Sequence, residues 1–305
     1  ETTMPNNPYA DGCAWIEGAY VPIHEARIPI LDTGFTHSDV TYDVVAVWNG
    51  KFFRLDAHMA RFTSSWQRLR MTPSLSVSDM QDILYECVRR SGLRNAYVEM
   101  VLSRGVAPAG TRDPRLFDNR FYAYAIPYVW IVQPEDQEIG THLVICQDTI
   151  RISPQAVDPT IKNFHWGDLV RGLFEAYDRG GTTAVLMDAD GYLTEGPGFN
   201  LFAYYEGCLL TPDSGVLEGV TRRTVLELAE EMAIPAKMDR FRADVLRAAD
   251  EIFITSTAGG VMPVTVLDDQ QVGNGKPGSV TMRLRKRYWD AHDEAHWTSP
   301  VDYPA

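Results

Sequence analysis

The chain of 305 residues has only four cysteines, Cys13, Cys87, Cys146 and Cys208, and none stands in a CxxC pair or at metal-ligand spacing from a histidine. That pattern excludes a disulfide-stapled scaffold and a zinc-finger-like site, so reduced thiols, no metal and a cytoplasmic location are expected. Positive charge is also short: 28 Lys and Arg against 41 Asp and Glu leave a net charge of −13. Nucleic acid and anionic membrane surfaces call for a concentrated basic face, so neither is an expected partner. The one dense basic run, "RLRKR" at 283–287, lies beside Tyr288 and Trp289 in an amphipathic stretch and reads as a solvated helix face. No stretch reaches the roughly 18 apolar residues of a membrane span. The best candidate, "AYAIPYVWIV" at 123–132, is short and carries Pro127. The opening "ETTMPNNPYADG" lacks the basic-then-apolar pattern of a secretory leader.

What is present is the composition of a globular protein, 45% hydrophobic and 23% charged. Its length suits one large domain or two of roughly 100–200 residues each; two is the default, with a soft boundary near 130–135. We divide the chain into a small N-terminal α/β domain, 1–132, and a larger C-terminal domain, 133–305. In the first, "WIEGAYVP" and "VVAVWNGKFFRL" read as hairpins turning at Glu17-Gly18 and Asn49-Gly50. Helices follow from Asp56 to about Arg70 and over "SDMQDILYECVRR", where Met80, Ile83, Leu84, Cys87 and Val88 share one face. "AYVEMVLSRG" and 120–132 read as strands joined by the mobile-looking loop "GVAPAGTRDPRLFD". In the second, "THLVICQDTI" is a strand and "WGDLVRGLFEAYDRG" a helix. Hairpins turn at Asp190-Gly191 and Glu206-Gly207, "GVTRRTVLELAEEMAIP" is a helix, "EIFITST" a strand, and 279–293 a closing helix. The first third reads as α+β with antiparallel strands, and the fold class of the chain is α+β / α/β.

Several short stretches have chemical potential. "GNGKPG" at 273–278 matches GxGxxG, but "TVLDDQQVGNG" reads as a hairpin and Pro277 stiffens the turn, so it is a loop and not a dinucleotide fingerprint. Lys162, in "DPTIKNFHWGD", is ordinarily a surface lysine. Its neighbours Ile161, Phe164 and Trp166 would instead desolvate it and favour the neutral amine that Schiff-base chemistry needs. Glu195, in "LTEGPGFN", is either a turn residue or a partner for a ring nitrogen that must stay protonated. "LEGVTRRT" opens a helix with Gly219 and Thr221 at its N-terminus, and "STAGG" (256–260) leaves a strand with two hydroxyls and two glycines. Separately these are ordinary caps; together they offer two phosphate cups. A lysine, a carboxylate and two anion cups in one half of a chain suit a phosphorylated aldehyde cofactor.

"IKNFHWGDLVRG", "LTEGPGFNLF", "LEGVTRRTVLE", "ITSTAGGVMPVTVLDD" and the upstream "RIPILDTGFTHSDVTYDVVAVWNGKFFRLDAHMARF" together resemble the fold-type IV pyridoxal-phosphate enzymes, specifically the (R)-selective amine transaminases, from about Ala14 to Trp289. The resemblance implies two domains with the cofactor cleft between them. It implies that Lys162 holds pyridoxal 5′-phosphate and shuttles the substrate proton, and that Glu195 pairs with the pyridine nitrogen. Arg61 would meet the phosphate, Gly219, Val220, Thr221, Ser256 and Thr257 would complete its cup, and Leu217 would pack on the ring. His37, Tyr42, Val44, Tyr97, Glu99, Trp166 and Ala258 match substrate-side positions, with the His37 region contributed across a homodimer interface.

The implied activity is a ping-pong transfer of an amino group from a primary amine to pyruvate. Three departures from relatives bear on this. The R-x-H pair with which D-amino-acid aminotransferases clamp an α-carboxylate is missing. His165 stands where relatives usually carry glutamine. The arginine for the keto-acid carboxylate is Arg112 or, in second place, Arg115. Alternatives with the same cofactor machinery are a branched-chain or D-amino-acid aminotransferase or an aminodeoxychorismate-type lyase; outside that class stands a non-catalytic small-molecule binder.

Overall fold

Tight turns fix the strand pairs of the first half. The computed structural model describes residues 7–304, so the first six residues of the stretch read for a leader, and residue 305, lie outside the described residues. Glu17-Gly18 joins β1 (Cys13–Ile16) to β2 (Ala19–Pro22). A short helix, α1 (Thr33–His37), then leads into β3 (Val40–Trp48), which returns at Asn49-Gly50 as β4 (Lys51–Phe53). Helices α2 (Leu55–Arg68) and α3 (Val77–Ser91) follow, and β5 (Ala96–Ser103) and β6 (Arg120–Pro127) flank the glycine-rich loop. The strand expected to reach residue 132 stops at Pro127, which has no N–H to extend a ladder. With β16 (Thr298–Pro300) on β4, these strands form a seven-stranded antiparallel sheet in the order β16-β4-β3-β5-β6-β1-β2.

Strand alternation gives this sheet two unlike faces. Val45, Val47, Val98, Met100, Leu102 and Phe121 form a core with Phe62 of α2 and Met80, Leu84 and Val88 of α3. The other face carries a smaller cluster of Val40, Tyr42, Val44, Val101 and Tyr122, with Tyr97 packed against it.

The second half builds a mixed sheet. Its elements are α4 (Pro134–Ile139), β7 (Thr141–Ile150), α5 (Gly167–Asp178), β8 (Thr183–Met187), β9 (Glu195–Gly196), β10 (Phe199–Tyr205), β11 (Cys208–Thr211), α6 (Val220–Glu231) and β12 (Ala236–Met238). They continue through α7 (Ala243–Arg247), β13 (Glu251–Ser256), β14 (Gly260–Leu267), β15 (Gln270–Gln271) and α8 (Ser279–Asp290). The strand path is β12-β11-β10-β13-β14-β7-β8, with β15 on β14 and β9 on β10. Here β7 runs parallel to β14 and β8, and α5 carries the chain back over the sheet before β8. The chain after β8 turns at Asp190-Gly191 as expected, with a bridge from Met187 to Leu193 and N–H donations from Asp188 to the Tyr192 carbonyl at 2.8 Å and from Thr194 to the Leu186 carbonyl at 3.0 Å, before β9 pairs with β10. "GNGKPG" follows the β14–β15 hairpin as a loop. No described helix is long and apolar enough to cross a membrane.

Contacts divide the chain into two units. One holds the chain up to Val129, Ile161–Phe164 and the residues from Glu294; the other holds Trp130–Thr160 and His165–Asp293. The sequence reading put Lys162 in the C-terminal domain, whereas its contacts group it with the first unit. Its carbonyl accepts hydrogen bonds from Thr41 Oγ1 at 2.6 Å and the Tyr42 N–H at 3.2 Å.

Helix α2 is fastened to β3 by a buried charge. Asp43, fully buried, accepts Arg61 Nε at 2.7 Å and Nη2 at 2.8 Å, and its Oδ1 lies 2.8 Å from His58 Nδ1. Burial alone would raise the Asp43 carboxyl, but the charge and hydrogen bonds of Arg61, with those of His58, hold it well below the usual carboxylate range. Because the folded state depresses this group, its stabilisation is present above the unfolded range of about pH 4 and is lost as pH falls. Asp43→Asn is therefore expected to cost about 3–5 kcal/mol at neutral pH and to flatten the loss of stability on acidification. Thermal melts from neutral to acid pH check this; two parallel pH profiles would contradict it.

Candidate active site

In the first unit the expected residues gather on the face opposite the α2/α3 core. Alternation along β3 and β5 sends Tyr42, Val44, Tyr97 and Glu99 to that face, and the register sets Val44 opposite Glu99 and Glu99 opposite Tyr124. The Lys162 segment lies along this end of β3. Lys162 Nζ sits 4.6 Å from the centre of the Tyr42 ring, and the Phe164 ring is 4.5 Å from the same ring. Lys162 is half-buried, and the aromatic contacts seen in its sequence neighbourhood are matched by one the sequence did not reveal, Tyr42.

Glu99 is the buried acid of this face. Its Oε2 accepts the Tyr124 hydroxyl at 2.6 Å and the Tyr97 hydroxyl at 3.2 Å. Burial raises the Glu99 carboxyl, opposed by the hydrogen bonds from Tyr124 and Tyr97 and the charge of Lys162. Burial, with the Glu99 charge beside them, pushes both tyrosine hydroxyls up, so they remain donors at physiological pH. Tyr124 was not among the expected residues. The signal was available, because strand alternation on β6 puts Tyr122 and Tyr124 on the same face, but the pairing register that brings Tyr124 to Glu99 is a tertiary fact.

Not every expected residue joins this group. His37 ends α1 exposed, its Nδ1 2.8 Å from Thr36 Oγ1. Arg61 gives two of its nitrogens to Asp43. Arg115 is exposed and clamped by Asp113, with Nη2 to Oδ2 at 2.6 Å. Arg112 is exposed near the middle of the 105–118 loop.

In the second unit the site grows from β9, β10 and β13. Glu195 pairs across the ladder with Asn200, and Asn200 with Thr255, so the three form one row. Glu195 is buried, its Oε1 accepting Arg151 Nη2 at 3.1 Å and Nε at 3.3 Å, and its Oε2 accepting the Leu217 N–H at 2.9 Å. Arg151 also donates Nη1 to Asp168 Oδ2 at 2.6 Å. Burial would lower the Arg151 guanidinium, but the charges of Glu195 and Asp168 raise it, so a fixed cation backs the carboxylate. Sequence reasoning missed Arg151 and Asp168, whose partners lie 44 and 17 positions away; a lone arginine closing the apolar strand "THLVICQDTI" was the only local sign.

Asn200 Nδ2 donates to the Leu217 carbonyl at 2.9 Å, which fixes the approach to α6. Gly219 is the helix N-cap, and a Cβ there would run into Asn200 Oδ1, so the close approach requires glycine. Val220 and Thr221 are buried in the first turn, which has no acidic residue and no side-chain cap. Such a turn presents N–H groups and the positive dipole end to an anion. Ser256, Thr257 and Ala258 form the turn from β13 to β14, with Ser256 Oγ accepting the Ala258 N–H at 3.2 Å. Beside them Thr255 Oγ1 is buried without a hydrogen-bond partner. Trp166 caps α5 and packs on the Val144, Cys146 and Leu169 cluster, and His165 is half-buried before it. A buried carboxylate with an arginine behind it, an uncapped helix start and an orphaned hydroxyl fit a ring that carries a nitrogen and a phosphate.

The chain is similar to known proteins along most of its length. Residues 41–267 match the family model described as Amino-transferase class IV. The chain is 25% identical over 302 residues to the branched-chain-amino-acid aminotransferase of Salmonella typhimurium, covering 94% of this chain and 97% of that protein. It is 26% identical over 281 residues to the D-alanine aminotransferase of Staphylococcus haemolyticus, covering 90% and 95%. Among solved structures, the T.th. branched-chain amino acid aminotransferase with pyridoxamine 5′-phosphate matches with a TM-score of 0.89 at 27% identity, covering 96% of this chain and 99% of that one. The same enzyme complexed with N-(5′-phosphopyridoxyl)-L-glutamate matches with a TM-score of 0.88. The chain thus belongs to the class IV aminotransferases and is a pyridoxal-phosphate-dependent enzyme of fold type IV.

Proposed function

We propose that the chain is an (R)-selective amine:pyruvate transaminase. The observation that carries this reading is the chemistry of the sheet face at Lys162. Tyr42, Val44, Tyr97, Val101, Tyr122 and Tyr124 surround the buried Glu99, and none of these positions is arginine or histidine. Arg120, further along the same row of β6, is engaged by Glu17 at 2.5 Å. A substrate α-carboxylate laid on this face would meet the like charge of Glu99, whereas an aryl or alkyl group would meet aromatic rings and valine. Preference for the (R) hand rests on the fold-level resemblance to the (R)-selective amine transaminases.

Pyridoxal 5′-phosphate, when bound, supplies the electron sink for charge that develops at the substrate α-carbon. Lys162 carries the cofactor and moves the proton at that carbon. Glu195, backed by Arg151 and aligned by the Leu217 N–H, holds the proton on the ring nitrogen, and Leu217 covers the ring. The start of α6, with Gly219, Val220 and Thr221, binds the phosphate together with Ser256, Thr257 and Arg61. Tyr42, Val44, Tyr97, Trp166 and Ala258 shape the substrate pockets, and His37 reaches its pocket from the partner of a homodimer. The keto acid needs a cation that an apolar amine does not, and the exposed Arg112 supplies it; Arg115, already engaged by Asp113, is less suited.

A second reading, a branched-chain or D-amino-acid aminotransferase, is favoured by the names of the relatives above. The two readings differ in the donor they accept. The cofactor-loaded enzyme is expected to lose its visible absorbance on addition of (R)-1-phenylethylamine, to keep it with the (S) enantiomer, and to regain it with pyruvate. Bleaching by branched-chain or D-amino acids and not by either amine would transfer the assignment to the second reading.

Two substitutions test the residue roles. Arg112→Ala is expected to lower the pyruvate half-reaction about 10- to 100-fold, as the loss of a charge-assisted hydrogen bond predicts, with a much smaller effect on the amine half-reaction. An equal loss in both, measured by stopped-flow, would remove Arg112 from the role. Lys162→Ala is expected to abolish turnover while the protein still takes up the phosphate end of the cofactor; transamination by this variant at even a hundredth of the original rate would contradict the role given to Lys162.

A further inference from the structure

Two segments leave the first unit's sheet at one end, where Val40 of β3 pairs with Ser103 of β5. One is the stretch 32–39, which carries His37; the other is the loop 105–118, which carries Arg112. They are laced together by Asp32, which is fully buried. Its carboxylate accepts the Gly34 N–H at 2.8 Å, the Tyr122 hydroxyl at 2.7 Å and the Ser103 hydroxyl. Ser103 Oγ in turn accepts the Gly105 N–H at 2.9 Å, and the Gly105 carbonyl accepts both the N–H and the hydroxyl of Thr33 at 2.9 Å. Asp32 also bridges the backbone of Val106. The far end of the first segment is tied to the same place: Arg104 donates its N–H to the Asp39 carbonyl at 2.9 Å, and Nε and Nη2 to the Asp39 carboxylate at 2.9 and 3.1 Å.

The loop is also closed at its stem. Gly105 has φ +99°, and a Cβ there would strike the Asp118 carbonyl, so only glycine allows the two arms to meet. Asn119 Nδ2 donates to the Arg104 carbonyl at 3.0 Å. The stem is therefore fixed to the sheet and to the 32–39 stretch, while Arg112 stays exposed beyond it.

We propose that Asp32 is a positioning residue that makes the His37 turn and the stem of the Arg112 loop one mechanical body, so that the keto-acid cation of one pocket and the His37 contribution to the partner's pocket are held in place by the same carboxylate. The inference rests on the reading of Arg112 and His37 given above. A helix cap alone would need only the Gly34 contact; the buried hydroxyls of Ser103 and Tyr122 on the same carboxylate join the two segments. Removing this acceptor frees both segments at once.

The test uses the holoenzyme with Asp32→Asn and Ser103→Ala, the second serving if the first fails to fold. Hydrogen exchange is expected to accelerate about tenfold or more in the amides of 33–38 and of 105–118 together, as the loss of a charge-assisted bond predicts, with other segments unchanged. KM for pyruvate is expected to rise about tenfold while the amine half-reaction stays within about twofold, an effect that vanishes when Arg112 is already alanine. Acceleration in only one segment or in neither, or equal losses in the two half-reactions, overturns the inference. If Arg112→Ala alone leaves the pyruvate KM unchanged, the arginine assignment fails, and the exchange data decide the coupling by themselves.

Discussion

Everything at the lysine depends on one carbonyl. Lys162 lies in a turn-bounded stretch with no helix or strand of its own, and such a segment would ordinarily let a long side chain wander. Its carbonyl is instead held by Thr41 and Tyr42, two successive residues of a buried strand, so a loop residue inherits the rigidity of a sheet. The same Tyr42 presents its ring to the ammonium group, which joins backbone anchorage and side-chain placement in one residue. Asp43, the next residue, points to the other face and secures α2. Three consecutive positions of β3 thus fasten the lysine, meet its charge and hold the helix that carries Arg61.

The buried ionic groups follow a common rule. Asp43 and Glu195 each face an arginine through two nitrogens, and each leaves a further acceptor position taken by a neighbour, His58 or the Leu217 N–H. Glu99 and Asp32 are different: Glu99 accepts from two neutral hydroxyls, with burial dominating its shift, and Asp32 accepts from two hydroxyls and an N–H. A buried acid without a cation bonded to it is expensive to keep charged.

Local signals carried much of this architecture. Asn49-Gly50, Glu17-Gly18 and Glu206-Gly207 are turn chemistry, readable from two residues, and all three join adjacent strands in space. The one-sided apolar pattern of α3 was equally plain, and its Met80, Leu84 and Val88 are in the core. Lys162, Glu195 and the α6 start were legible as residue types, and the family was legible because several such segments occur in order. Partnership was not legible. Arg151 behind Glu195, Tyr124 on Glu99, and Asp32 under Ser103 and Tyr122 are set by strand register and by chain segments far apart in sequence. The short α1 escaped notice because five residues give no helical period, and its carboxylate cap draws on a hydroxyl 71 positions away.

The sheet order of the first unit has a consequence for synthesis. Its edge strand, β16, pairs with β4 from the opposite part of the sequence, and the Lys162 stretch is also a late arrival on β3. A ribosome releases β3 and β4 long before either partner exists, so one margin of the nascent sheet and the ligands of Thr41 and Tyr42 stay open while the second unit is being made. The earliest-made unit is therefore among the last to be finished, and an exposed β4 edge is what a chaperone would have to guard in the interval.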